Sequence, residues 1–368
     1  MRWPKPAVDW LTGQWRNRGV WYWLMQPASW LYSITVTFNR WLYARQIRQR
    51  DQLSVPVIVV GNLYIGGTGK TPVAIALAKA LTSRGFRPGL ISRGYGSSRK
   101  TTPATAQGVA LDWQTFGDEP ALIANRTGIP VSVHANRFLA GCQLLDRFPE
   151  VNVIISDDGL QHQRLARDVE LLVEDDRGVG NGATLPGGPL REASRRRATV
   201  DAILRRVSDT KTLETSEMPV NAHAPTFGFT VLLDFFYCPA SGQKRTIDAM
   251  AQELKANNGT ASRTAAIAGI GVPERFFQVL EKNEIKLDQT VALSDHAPMT
   301  VALLESIDAK TILVTEKDAI KFPVDRDPRI WVASAGLHWA DDRILDWLIK
   351  TLHEKGKKDQ KQAAINQR

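Results

Sequence analysis

The sequence predicts an α/β protein: a phosphate-loop-type parallel sheet flanked by helices, followed by a second, smaller α/β domain. Three observations carry that prediction. Short β-branched apolar runs alternate with helical stretches, the glycine-rich turn GGTGKTP joins the first run to its helix, and a polar, proline-containing stretch at 212–225 interrupts the alternation before it resumes. With 368 residues, 43% of them hydrophobic and 23% charged, the chain is long enough for two domains, and its composition excludes a disordered or fibrous protein.

Residues 1–50 form the first unit. They hold eight Lys or Arg against one Asp, a net charge of +7, and seven of the eleven tryptophans: Trp3, Trp10, Trp15, Trp21, Trp23, Trp30 and Trp41. Aromatic rings beside arginines suit a lipid headgroup layer. The uncharged run 19–39 would reach roughly 32 Å as a helix, just enough to span a bilayer. Pro27, Gln26, Ser29, Ser33, Thr35 and Thr37 lower its hydrophobicity, which favours a segment lying in the interface, peripheral or monotopic, over one that crosses. An aromatic helix packed on the protein's own core is the remaining alternative. A cleaved secretory signal is disfavoured, because basic residues at 40–50 follow without a small-residue cleavage pattern.

The body carries little net charge. Residues 350–368 add +4, so the total of +9 leaves −2 for 51–349, which speaks against nucleic acid as a partner. Cys142 and Cys238 cannot form a disulfide framework or a four-cysteine metal site, as expected in a reducing cytoplasm. The polar, basic tail 356–368 is expected to be disordered, and no obligate protein partner is evident.

From 51 to 215 the pattern is strand, turn, helix, strand. VPVIVVGN (55–62) reads as a buried strand and TPVAIALAKALTSRG (71–85) as its helix, with further strands in RPGLISRGYG, VNVIISDDG and VELLVEDD. The turn between them is a phosphate loop in place and in chemistry. Gly66, Gly67 and Gly69, with Thr68, let backbone N–H groups converge on an anion at a helix start; Lys70 reaches outer phosphates and Thr71 offers a hydroxyl to Mg²⁺. The common pattern places glycine six residues before the lysine, where this chain has Tyr64. Asp157 and Asp158 end a neighbouring strand, where phosphate-loop enzymes place acids for Mg²⁺ or its waters; turn-forming aspartates are the alternative. After the junction, TFGFTVLLDFFYC suggests half of an antiparallel connector. RTAAIAGIG, PERFFQVLEKN, KTILVTEKD, IWVASAG and DDRILDWLIKTLHEK then continue the alternation over 226–350.

Eight blocks in order, VGN...GGTGKTP, SRGYG, GDEP, DDGLQH, GN...LPGGPLRE, AGIGVPERFF, SDH and TEKDAIKF, resemble the tetraacyldisaccharide 4'-kinases, the lipid A 4'-kinases of Gram-negative bacteria. The resemblance covers roughly residues 25–350. It implies two α/β domains joined by a β-strand linker, with ATP on the first. It also implies ATP- and Mg²⁺-dependent phosphorylation of the 4'-hydroxyl of an acylated glucosamine disaccharide 1-phosphate, at the cytoplasmic face of the inner membrane. A catalytic dyad of Asp118 and His296 is implied as well. This chain departs from the family's usual pattern at several points: Ala297 follows His296 where a second histidine is common, Val272 replaces Asn, Asn136 precedes Arg137, and Arg205-Arg206 replaces an Asn-Gly pair.

Metal or metal-water ligands are then expected at Thr71, Asp157 and Glu192, with Asp158 beside them. Arg191 is expected as a phosphate clamp, and Arg93 and Tyr95 as contacts to nucleotide or acceptor. Lys317 and Asp318 suggest either an ion pair or a functional role. The alternative function is a membrane-associated phosphate-loop ATPase or GTPase switch. For one such class the loop lacks the required early lysine, and TEKD places lysine one residue late for guanine recognition.

Overall fold

The strands join into one sheet, and the order in which they do so places the glycine loop. The computed structural model describes residues 5–94, 101–108, 111–207, 224–256, 263–294, 297, 299–322, 324, 327–340 and 342–366. Its strands are β1 (Val57–Gly61), β2 (Pro88–Ser92), β3 (Ala104–Ala106), β4 (Val131–Val133), β5 (Val153–Asp157), β6 (Val169–Glu174) and β7 (Ala202–Arg206), then β8 (Thr226–Tyr237), β9 (Lys244–Thr246), β10 (Thr264–Ala268), β11 (Gln289–Ala292), β12 (Thr311–Thr315) and β13 (Ile330–Trp339). Among the described residues all thirteen share a sheet, in the order β11-β10-β12-β13-β8-β7-β6-β1-β5-β2-β4-β3, with β9 paired to β8.

β1 lies between β5 and β6, both parallel to it. Its carboxyl end is therefore where the chain's path diverges to the two sides, the crevice that open α/β sheets use for ligands. Register brings Val60 of β1 opposite Asp157 of β5, so the acid stands level with the glycine loop.

Period-two alternation covers both faces. Ile58 and Val60 point to one side, against Val73, Leu77, Ala78 and Leu81 of the helix Lys70–Ser83. Val57 and Val59 point to the other, against Ala140 and Leu144 of the helix Arg137–Arg147. Val73, Leu77 and Leu81 recur at helical spacing and are all but fully buried. Burying a Leu of this kind contributes about 2 kcal/mol.

β8 is the connector. It runs parallel to β7 and antiparallel to β13, so it carries the sheet from the amino-terminal strands to β10–β13. Helices α1 (Lys5–Arg16), α2 (Val20–Leu24) and α3 (Gln26–Ala44) precede β1, and α4 (Lys70–Ser83) follows the glycine loop. The closing helix, Arg343–Asn366, returns to the amino-terminal core through Ile344, Leu345, Leu348 and Leu352. It continues to Asn366 where the composition predicts a disordered tail from residue 356, because Lys, Gln and Ala prolong a helix that packing has already nucleated. Among the described residues no helix is long and apolar enough to cross a membrane.

Candidate active site

The glycine loop turns at two left-handed residues, Gly66 (φ 90°) and Gly69 (φ 98°), where a side chain would be strained. Tyr64 is not among the left-handed residues, so the bend does not need glycine there. Its backbone bridges to Leu190, and its ring lies under the Arg177 guanidinium at 4.3 Å. Asn62, just past β1, pins the loop by donating to the carbonyls of Tyr64 (2.5 Å) and Gly66 (3.3 Å), while its Oδ1 accepts from Lys70 Nζ (3.1 Å). Lys70 opens α4, is buried, and stands 3.6 Å from Asp158. Thr68 Oγ1 is buried without a partner in the same loop.

The two acids at the end of β5 behave oppositely. Asp157 is fully buried; burial first, then the charges of Glu119 and Asp158, push its carboxyl up to about 7 despite Lys70 and Arg137. One of its oxygens, Oδ1, has no hydrogen-bond partner. Asp158 adopts a left-handed backbone (φ 47°), which Asp tolerates better than most residues. Burial opposes its charge, but Lys70, Arg191 and Arg137 outweigh that and hold its carboxyl below the ordinary value. Arg191 Nη1 donates to both its oxygens, at 2.8 and 2.9 Å.

Glu192 is buried and already engaged. Gln161 Nε2 donates to it at 2.9 Å and also to the Asn62 carbonyl at 3.2 Å, while Arg196 lies 3.5 Å away. Among the described residues no three His, Cys, Asp or Glu side chains form a ready metal cage. Mg²⁺ does not need one, since it keeps waters and phosphate oxygens and takes one or two carboxylates. The orphan oxygen of Asp157 opposite the phosphate loop, an oxygen-only donor set and the Thr71 hydroxyl fit that mode.

After the short helix α5 (Trp113–Phe116), Asp118 starts α6 (Asp118–Thr127) and is buried. Lys317 and Lys321, from the far end of the chain, reach it at 3.7 and 3.8 Å. Lys321 also pairs with buried Asp318 at 3.1 Å, and Asp318 accepts from Thr315 Oγ1 and Gly269 N–H. Asp318 thus pairs with Lys321, while Lys317 turns to Asp118 and Glu119. Glu119 joins this corner to the phosphate loop: Lys317 binds it at 3.2 Å, and its charge is felt by Asp157. Arg93, exposed past β2, stands near Arg137 and His162. Tyr95 and His296 lie outside the described residues.

Some contributors lie outside the sequence-based set. Asn62 and Gln161 sit inside the VGN and DDGLQH blocks, which was the available signal. Arg137, held inside by the Asp158 carbonyl, stands at a position the family pattern already marks, whereas Arg177, donating to the Gly67 carbonyl at 2.7 Å, carries no local signature. The amino-terminal helices also take part: Tyr32 donates to the Arg191 carbonyl, Gly187 N–H donates to Ser29 Oγ, and Trp15 donates to the Pro186 carbonyl.

A cavity of about 440 Å³ opens over residues 67–72. Glu119 and Arg126 line it from α6, Val231 and Leu233 from β8, and Arg275, Phe276, Glu316 and Lys317 from the carboxyl-terminal part. Arg126 spans it, binding both Glu316 oxygens at 2.5 Å and Ser334 at 2.9 Å. An anion-binding loop, a lysine, paired acids and an apolar-walled cavity define a phosphate-loop enzyme that uses a nucleotide.

Comparison with known proteins narrows the class. The family model described as tetraacyldisaccharide-1-P 4'-kinase matches residues 21–353, and the chain belongs to that family. It is 43% identical to the tetraacyldisaccharide 4'-kinase of Bordetella parapertussis, over 94% of this chain and 96% of that protein. To the kinase of the same name from Pasteurella multocida it is 42% identical, over 91% and 97%. Its fold matches a crystal structure of LpxK from Aquifex aeolicus in complex with ATP, with a TM-score of 0.74 and 26% identity, covering 90% of this chain and 99% of that one.

Proposed function

We infer that the chain is an ATP-dependent lipid kinase, moving the γ-phosphate of ATP to the 4'-hydroxyl of tetraacyldisaccharide 1-phosphate in lipid A biosynthesis. The observation that carries this is Lys70, fixed between Asn62 and Asp158 at the mouth of a cavity whose walls come from both ends of the chain. ATP lies with its phosphates on residues 66–71, held by the 51–215 part, while the 226–350 part closes the cavity. Bound Mg²⁺ would be held by Asp157 and Thr71 and would neutralise charge on the phosphoryl oxygens. Asp158 keeps Lys70 and Arg191 in place, and Glu192 orients Gln161.

The sugar hydroxyl needs a group to take its proton as the bond to phosphorus forms. Asp118 is that group's core, with His296 as its partner. Lys317 and Lys321 hold its carboxylate in place at 3.7 and 3.8 Å, and the corner is complete only when both parts of the chain meet there.

The acceptor arrives from a lipid surface. Trp30, Leu31, Ile34, Phe38 and Trp41 form an exposed apolar face on α3, continued by Val20, Trp23 and Leu24 on α2. With Arg18, Arg45 and Arg48 close by, this face suits the cytoplasmic surface of the inner membrane, lying in it rather than crossing. ATP turnover measured in detergent, with and without the acylated disaccharide, tests the function. Turnover that ignores the lipid would favour a phosphate-loop ATPase or GTPase switch.

A further inference from the structure

Arg206 ends β7, two strands from β1, on the carboxyl side of the sheet where the glycine loop also lies. It lines the same cavity as residues 67–72. Around it stand two more arginines, Arg177 and Arg275, and two acids, Asp175 and Asp176. The acids are already satisfied. Arg177 Nε donates to both oxygens of Asp175, at 3.0 and 2.9 Å. Arg275 donates to Asp175 at 3.2 Å and to Asp176 at 2.6 Å. Among the described residues the Arg206 guanidinium has neither a hydrogen bond nor an ion pair, although its backbone is paired in the sheet.

Burial and the neighbouring guanidiniums both disfavour its charge. A half-buried cation of this kind, beside other cations and facing a cavity, is costly unless an anion joins it. Arg177 fixes the place of that anion, because it also donates to the carbonyl of Gly67 and so ties the cluster to the glycine loop. Lys70 serves the outer phosphates, which leaves the inner end of the chain.

We propose that Arg206 is a nucleotide-binding residue of this chain, donating to a phosphate oxygen at the inner, α-phosphate end of the triphosphate. Its planar fork gives directional bonds to phosphate. The proposal rests on the cavity being the ATP site, and it adds a contact there from the end of β7.

Calorimetric titration of the full chain with MgATP, without acceptor, tests it, alongside competition by inorganic tripolyphosphate. Arg206→Asn should weaken both ligands by about tenfold or more, as for loss of a charge-assisted hydrogen bond, with the acceptor KM unchanged. If that variant does not fold, by its thermal transition, Arg206→Gln decides with the same two outcomes. An unchanged MgATP Kd overturns the proposal. So does weaker MgATP with unchanged tripolyphosphate, which would move the contact to base or ribose. Wild-type protein that binds no MgATP would instead sink the ATP-site reading itself. ATP binding without lipid phosphorylation would leave the Arg206 test intact.

Discussion

Lys70 and Asp118 are both buried charged groups, Lys70 in the wall of the cavity and Asp118 behind the Glu119 that lines it, yet their surroundings come from different parts of the chain. Lys70 is met by Asn62 and Asp158, which follow the ends of the neighbouring strands β1 and β5. Asp118 is met by Lys317 and Lys321, and its neighbour Glu119 contacts Lys317 across 198 positions of sequence. The first site is therefore set as soon as β1, β5 and α4 pack. The second depends on the carboxyl-terminal strands having docked through β8 and on bridges such as Arg126 to Glu316. On the proposed function, a kinase built this way would hold ATP on the first site while its acid–base corner depended on both parts of the chain meeting, which would limit transfer to water.

The sharpest way to separate the two is Lys70→Ala, which should lower phosphate transfer by about 10³-fold or more, since a donor to developing charge is lost. Asp118→Asn should lower turnover by about 10²-fold with MgATP affinity nearly unchanged, as measured by initial rates and calorimetry. If ATP affinity collapsed as well, the two regions would not be separable.

Lys321→Met tests the docking side. It strands Asp318 in the interior, and breaking a buried pair of this kind costs about 3–5 kcal/mol, visible as a fall in thermal stability. Asp157 gives a pH signature in metal-free buffer. Its carboxyl is raised from 3.8 to about 7 in the fold, so between those values the folded chain holds a proton that the unfolded chain has released. Its contribution to stability is present below pH 4 and lost as pH rises to 7. Asp157→Asn, which mimics the protonated form, should gain stability relative to wild type at pH 8 compared with pH 5 in thermal melts. The smallest effect is expected at the exposed aromatic face. Trp23→Ser with Trp30→Ser should weaken binding to anionic vesicles, seen by sedimentation, while leaving ATP binding intact.

How much of this was legible in the sequence follows the same division. The strand, glycine loop and helix from 55 to 85 were readable, because backbone pattern and phosphate chemistry coincide over a short stretch. Asp157 and Asp158 were findable as a pair. Their opposite behaviour was not, since it depends on Glu119, Arg191 and Arg137 arriving from three other elements. Lys317 and Asp318 had no visible role until β12 and the turn after it met α6. That Glu192, expected as a metal or metal-water ligand, is also held by the Gln161 amide and the Arg196 guanidinium is not readable from its block. Spacing shows which residue types are present in a block; it does not show which side chains from remote blocks have satisfied them.

The seat of α3 on the loop 181–192 has a mechanical consequence. Ser29 and Tyr32 fasten the helix to Gly187 and to the carbonyl of Arg191, the residue that grips Asp158 beside Lys70. If the outer side of that helix meets lipid as proposed, the lipid would be held at a set height from the phosphate loop. The helix would then act as a spacer as well as an anchor, and tilting it would tug on the contact between Arg191 and Asp158.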